Sequence, residues 1–161
     1  MTPPAIFGIS VLFGFIVWGI VGTRYIWPAL TSRPRVEAIR VVLLLHAFRF
    51  VGLAFRVPGV VSPSLPLDFA RPAAYGDFLT AVIALLAFVL LPNALGFALV
   101  WLFNVVGTVD LLYAFYQGNA TGLEPGAQGA MYFVPTVVVP LLLVTHALMF
   151  RLLLRRNGTT A

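Results

Sequence analysis

Uncharged apolar runs, each about as long as a bilayer is thick, constrain this chain more than any motif in it. The first runs from Ala5 to Thr23, 19 residues without a charged side chain. At about 1.5 Å of rise per residue such a helix crosses the ~30 Å hydrocarbon core. Charged residues make up only 9% of the chain and apolar ones 61%, with a mean hydropathy of +1.02. A soluble domain carries roughly a quarter charged residues. That shortfall excludes a disordered tail, a basic nucleic-acid-binding surface and an ordinary water-soluble enzyme. It leaves an all-α integral membrane bundle in a lipid bilayer, and 161 residues leave no room for a second domain.

Five spans follow from the apolar runs and the breaks between them. The uncharged start Met1-Thr2-Pro3-Pro4 lacks the basic region of a signal peptide, so the span over residues 5–23 reads as a retained helix. Arg24 to Arg35, with Pro28 and Pro34, reads as a loop. The second span covers residues 37–57. Four prolines between Pro58 and Pro72 then interrupt helix formation, and this stretch is apolar enough to lie on the bundle as a lid. The third and fourth spans, 73–91 and 94–117, form a hairpin broken at Pro92-Asn93. Gly118 to Gly129 reads as a loop, and the fifth span covers 131–150, kinked by Pro135 and Pro140.

The ten basic residues are all arginine and flank the apolar runs, which is topogenic charge rather than a nucleic-acid surface. With the N-terminus outside, the inner segments hold Arg24, Arg33, Arg35, Arg40, Arg151, Arg155 and Arg156. The outer ones hold Arg56 and Arg71. Seven against two predicts a multi-pass protein of the cell membrane with its C-terminus in the cytoplasm.

Ionisable side chains at mid-span are the functional candidates, because each costs about 2.5–3.5 kcal/mol to insert and needs a partner or a wet cavity. His46, Arg49, Leu53 and Arg56 share one stripe at 3-4-3 spacing. Asp110 lies about 10 Å, and Arg49 about 14 Å, below the outer ends of their helices, a depth match that predicts an ion pair. Arg56 and Asp77, both near the outer boundary, are expected to form a second pair. His46 and His146 lie at similar depth above the inner face, and Asn104 sits near the midplane. Each residue also has a structural reading. Asp77 could cap a helix start, Asp110 and Arg49 could fix helix register, and Asn104 and the histidines could bond neighbouring helices. Ser10-x-x-x-Gly14 offers a small-residue contact face. A short echo, Leu45-His46-Ala47-Phe48 against Thr145-His146-Ala147-Leu148, is too brief to define an inverted repeat.

The chain has no cysteine, no nucleophile–base–orienter set, no phosphate-cradling glycine loop and no close pair of metal ligands, so an enzyme finds no support in it. The elements His46-x-x-Arg49-x-x-Gly52, Phe69-Ala70-x-Pro72-Ala73-x-x-Gly76-Asp77 and Trp101-x-x-Asn104-x-x-Gly107-x-x-Asp110 resemble those of small, uncharacterised multi-span membrane proteins of bacteria. The resemblance covers residues 40–150, implies a bacterial membrane location and implies no chemistry. Three functions fit the sequence. One is a bundle whose buried site (His46, Arg49, Asn104, Asp110 and His146) handles a small solute or protons. Another is an accessory subunit held by other membrane subunits. The third is a b-type haem protein with His46 and His146 as axial ligands.

Overall fold

The computed structural model describes residues 1–155; Arg156, counted above among the inner arginines, lies outside them. Among the described residues no strand forms, and five helices are long and apolar enough to cross a membrane. They are α1 (Pro3–Thr31), α2 (Arg35–Arg56), α3 (Leu67–Leu90), α4 (Ala94–Ala120) and α5 (Val134–Leu154). Successive helices run in opposite directions. One end of the bundle, the lid end, carries the N-terminus, the 57–66 loop and a short helical segment, Pro125–Tyr132. The other, the hairpin end, carries the turns at 32–34 and 91–93.

The helices differ from the expected spans chiefly at prolines. α1 continues through Arg24 and Pro28, where a loop was expected, and only Ser32 to Pro34 turns the chain. A proline within a helix lacks its N–H and presses on the carbonyl four residues back. Here Gly22–Ile26 is widened to π geometry, with the Trp27 N–H bonded to the Gly22 carbonyl, and Pro28 follows that loosened turn. The same device receives Pro135, inside the π turn Val134–Val138. α3 begins at Leu67, not near Ala73, and takes Pro72 into its second turn. The carbonyl that Pro72 leaves without a donor belongs to Asp68, and Gln117 Nε2 lies 3.5 Å from it.

Two apolar layers close the bundle above and below a polar one. At the hairpin end Ile39, Leu43, Ala84, Val100, Phe103 and Met149 pack together with Leu30 and Leu152. At the lid end Phe55, Leu65, Phe69, Ala70, Ala127 and Met131 form the second cluster. The 57–66 loop does lie on the bundle. Ser62 N–H donates to Ala127 O at 3.0 Å, and Ala130 N–H to Val60 O at 3.0 Å. Gly129 makes that clasp possible, since its φ of +54° is one that L side chains rarely adopt.

α3 reaches its neighbours through small residues. Ala70, Ala73, Ala74, Ala81, Ala84 and Ala87 are all buried, and Asp77 and Thr80 lie in the same seam. α1 crosses α5 at Gly14, where a Cβ would strike the Thr136 carbonyl and Pro140, and Ser10 Oγ lies 3.3 Å from the Tyr132 hydroxyl. The Ser10–Gly14 face is thus a contact surface. The side of α1 turned away from that face exposes Ile9, Leu12, Ile16 and Ile20.

Candidate functional site

A change of helical period positions the central side chain. α2 is an α-helix as far as Ala47 and tightens to a 3₁₀ helix over Phe48–Arg56. At three residues per turn, Arg49, Gly52 and Phe55 line up on one face, and all three are buried. Arg56 is rotated a third of a turn off that face and is exposed. This overturns the expected Arg56–Asp77 pair, which was drawn from a shared depth near the outer boundary: Arg56 turns outward and Asp77 pairs elsewhere. It also changes the reading of Asp77. Because α3 starts at Leu67, Asp77 sits ten residues into the helix and caps nothing.

Arg49 instead holds both carboxylates. Its side chain has no exposed surface, its Nε donates to Asp77 Oδ1 at 2.7 Å, and its Nη2 donates to Asp110 Oδ2 at 2.6 Å. The expected Arg49–Asp110 pair is therefore present, with Asp77 as a second counter-ion from α3. Arg49 Nη1 reaches Gly107 O at 3.2 Å and His146 Nε2 at 3.3 Å. Four of the five guanidinium N–H groups thus find acceptors on α3, α4 and α5, which is the condition for a charge to remain buried.

The hydrogen bonds fix both histidine tautomers. His146 Nδ1 lies 2.7 Å from Asn104 Oδ1. With Nδ1–H donating there, Nε2 is a bare acceptor facing Arg49; the opposite tautomer would set two donors against each other. Thr145 Oγ1 lies 2.9 Å from Leu141 O and donates its hydrogen to the backbone, so His46 Nε2–H donates to Thr145 Oγ1 at 2.9 Å. The two rings meet at 4.2 Å between centroids, each 5.0 Å from the Phe103 ring. No porphyrin passes between rings in contact, and both nitrogens of His146 and Nε2 of His46 already face Asn104, Arg49 and Thr145. The expected axial pair does not fit a haem in this arrangement. Among the described residues no three His, Asp or Glu side chains group as metal ligands.

Close helix approach at three glycines makes the node possible. A Cβ on Gly52 would strike Asp77, one on Gly76 would strike Asp110, and one on Gly107 would lie 2.6 Å from His146 Cε1. Above the node a cavity of about 370 Å³ opens at the lid end. Asp77 and Asp110 are at its floor, Phe7, Phe55, Phe69, Phe115 and Val134 are in its walls, and Asn119 and Glu124 are near its rim. Gln128 lines it too. That side chain is 1% exposed and its Oε1 has no hydrogen-bond partner.

Sequence reasoning brought His46, Arg49, Asn104, Asp110 and His146 to one neighbourhood and missed the pairing of Asp77 with Arg49, the burial of Gln128 and the close approaches at the glycines. A signal for Asp77 was available. It falls in the alanine seam 70-73/74-77-80/81-84-87, whose helical spacing marks one packed face.

Fold and site define a small all-helical chain, with five helices of membrane-crossing length, folded around one arginine neutralised by two carboxylates. The chain belongs to the family defined by a domain of unknown function, DUF8737, which matches residues 6–154. That match includes the first helix, beyond the residues that carried the resemblance noted above. No curated protein and no solved structure matches the chain.

Proposed function

We propose that this chain is a five-span protein of the cell membrane that takes a small solute from the outer face and holds it at the bottom of the lid-end cavity. The observation that carries this reading is the cavity's floor: it ends on Asp77 and Asp110, two carboxylates kept in place by a buried arginine. Intramembrane charge marks a solute or ion pathway by default, and an apolar pocket with a few convergent polar groups is the usual form of a small-molecule site. The hairpin side supports a binding chamber over an open channel. Ile39, Leu43, Val100 and Met149, each at 0% exposure, lie between the histidines and the opposite end.

The orientation rests on arginine placement. Arg24, Arg33, Arg35, Arg40, Arg151 and Arg155 belong to the hairpin end, which is then cytoplasmic, and Arg56 and Arg71 to the lid end. Several hairpin-end arginines are held at the helix ends. Arg35 Nη2 donates to Leu153 O at 2.7 Å, Arg40 Nη2 to Leu91 O at 2.9 Å, and Arg151 lies 4.1 Å over the Trp27 ring. The apolar outward side of α1 then faces lipid.

Because the chain lacks cysteine, a single introduced thiol reports cavity access cleanly. Ala114→Cys, in the cavity wall, is expected to react with a membrane-impermeant maleimide added to intact cells, while Met149→Cys stays unlabelled. An Ala114→Cys variant that reacts only after permeabilisation would overturn the outward-open chamber.

A further inference from the structure

From the cavity's charge and the unpartnered buried amide oxygen of Gln128 we infer that its occupant is a small primary amine with an apolar, ring-sized body. The inference rests on the chamber reading and names its ligand class. Formal charges at the floor are two carboxylates against one guanidinium, so one negative charge is left for an occupant to neutralise. Asp77 and Asp110 each spend one oxygen on Arg49, leaving a second oxygen on each.

A second, independent feature points the same way. Gln128 comes from the short helical segment of the lid, far along the chain from either aspartate. It is buried at 1%, lines the same cavity, and leaves Oε1 without a donor. An unsatisfied buried acceptor is destabilising on its own, and a donor-bearing ligand would complete it. The terminal amide torsion is soft, so a small rotation aims the oxygen at an occupant. Two free carboxylate oxygens and an amide oxygen that can turn toward them call for several N–H groups on one atom, which an ammonium supplies and an alcohol or acid does not. The walls set the rest of the molecule. Phe55, Phe69 and Phe115 offer aromatic surface, and about 370 Å³ is at the small end of ligand pockets. A carboxylate ligand of equal size would place its charge against Asp77 and Asp110 and is rejected.

Isothermal calorimetry on the full chain in detergent tests this with phenethylamine and 3-phenylpropionate, near-isosteres of opposite charge. Phenethylamine is expected to bind at least about tenfold more tightly than the acid, and Gln128→Met to weaken it about tenfold by removing one charge-assisted hydrogen bond. Gln128→Met should also raise the melting temperature of the empty protein, because it deletes an unsatisfied atom; this keeps the test independent of folding defects. Equal binding of the two probes, binding of neither, or an unchanged amine affinity in Gln128→Met would overturn the ligand class. Failure of the chamber itself is read separately. If Ala114→Cys labels from outside and phenethylamine does not protect it, the class is wrong and the chamber stands. Without such labelling the chamber is wrong.

Discussion

Arg49→Met is expected to destabilise the protein by about 3–5 kcal/mol, the largest loss of any single substitution in the polar layer. It removes the guanidinium that serves Asp77, Asp110, Gly107 O and His146 together, and leaves two carboxylates facing each other in a low-dielectric interior. Removing one carboxylate is a smaller insult. In Asp110→Asn the arginine keeps Asp77 and an amide oxygen replaces the lost acceptor, so a loss of about 1–3 kcal/mol follows. The three-body arrangement makes a specific pattern of non-additivity. Arg49→Met with Asp110→Asn still strands Asp77, so the double variant recovers only part of the stability. The triple variant that also carries Asp77→Asn recovers more, because no formal charge remains buried. Thermal unfolding in detergent measures the series; a triple variant as unstable as the sum of its singles would show that the three side chains do not meet.

Gly107→Ala gives the second large effect, and its sign is opposite to helix propensity. Alanine is favoured over glycine within a helix by about 1 kcal/mol. At Gly8 and Gly19 a Cβ meets nothing within 4 Å, and alanine there is expected to be neutral or to gain up to that amount. At Gly107 the Cβ would lie 2.6 Å from His146 Cε1, 2.7 Å from Nε2 and 2.8 Å from Thr80 Cγ2. The imidazole cannot withdraw, since Asn104 holds Nδ1 and Phe103 lies against the ring. Overpacking of this kind outweighs the propensity gain and leaves a net loss of about 1–3 kcal/mol. Melting temperatures of the three alanine variants decide it. If Gly107→Ala behaves like Gly8→Ala, then α4 and α5 do not approach as closely as described.

The five helices and the Arg49–Asp110 pair were legible in the sequence for simple physical reasons. Apolar runs with few charges have one stable form in hydrocarbon, and depth along a helix converts residue count into height at a fixed rise. What was not legible depended on period and on backbone repair. The stripe His46–Arg49–Leu53–Arg56 was drawn at 3.6 residues per turn, and the 3₁₀ section of α2 turned Arg56 out and left Gly52 and Phe55 in. Pro28 and Pro72 were read as breaks because a proline's cost is local and visible. Its compensation, a π turn before Pro28 and a donor from Gln117 near Asp68, comes from elsewhere in the chain. Asp77 went to the wrong partner because depth was the only guide to it. The histidines show the same limit: equal depth was read correctly, but depth alone does not distinguish two rings in contact from two rings facing a cofactor.

The proposed chamber and its inferred ligand both rest on placing the lid end outside and the hairpin end inside the cell. Single thiols at Asn119 and Ser32, exposed residues at opposite ends of the bundle, test that placement in intact cells. Five crossings with an external N-terminus predict that a membrane-impermeant maleimide labels Asn119→Cys at once and Ser32→Cys only after permeabilisation. Labelling of both before permeabilisation, or of Ser32→Cys alone, would contradict it.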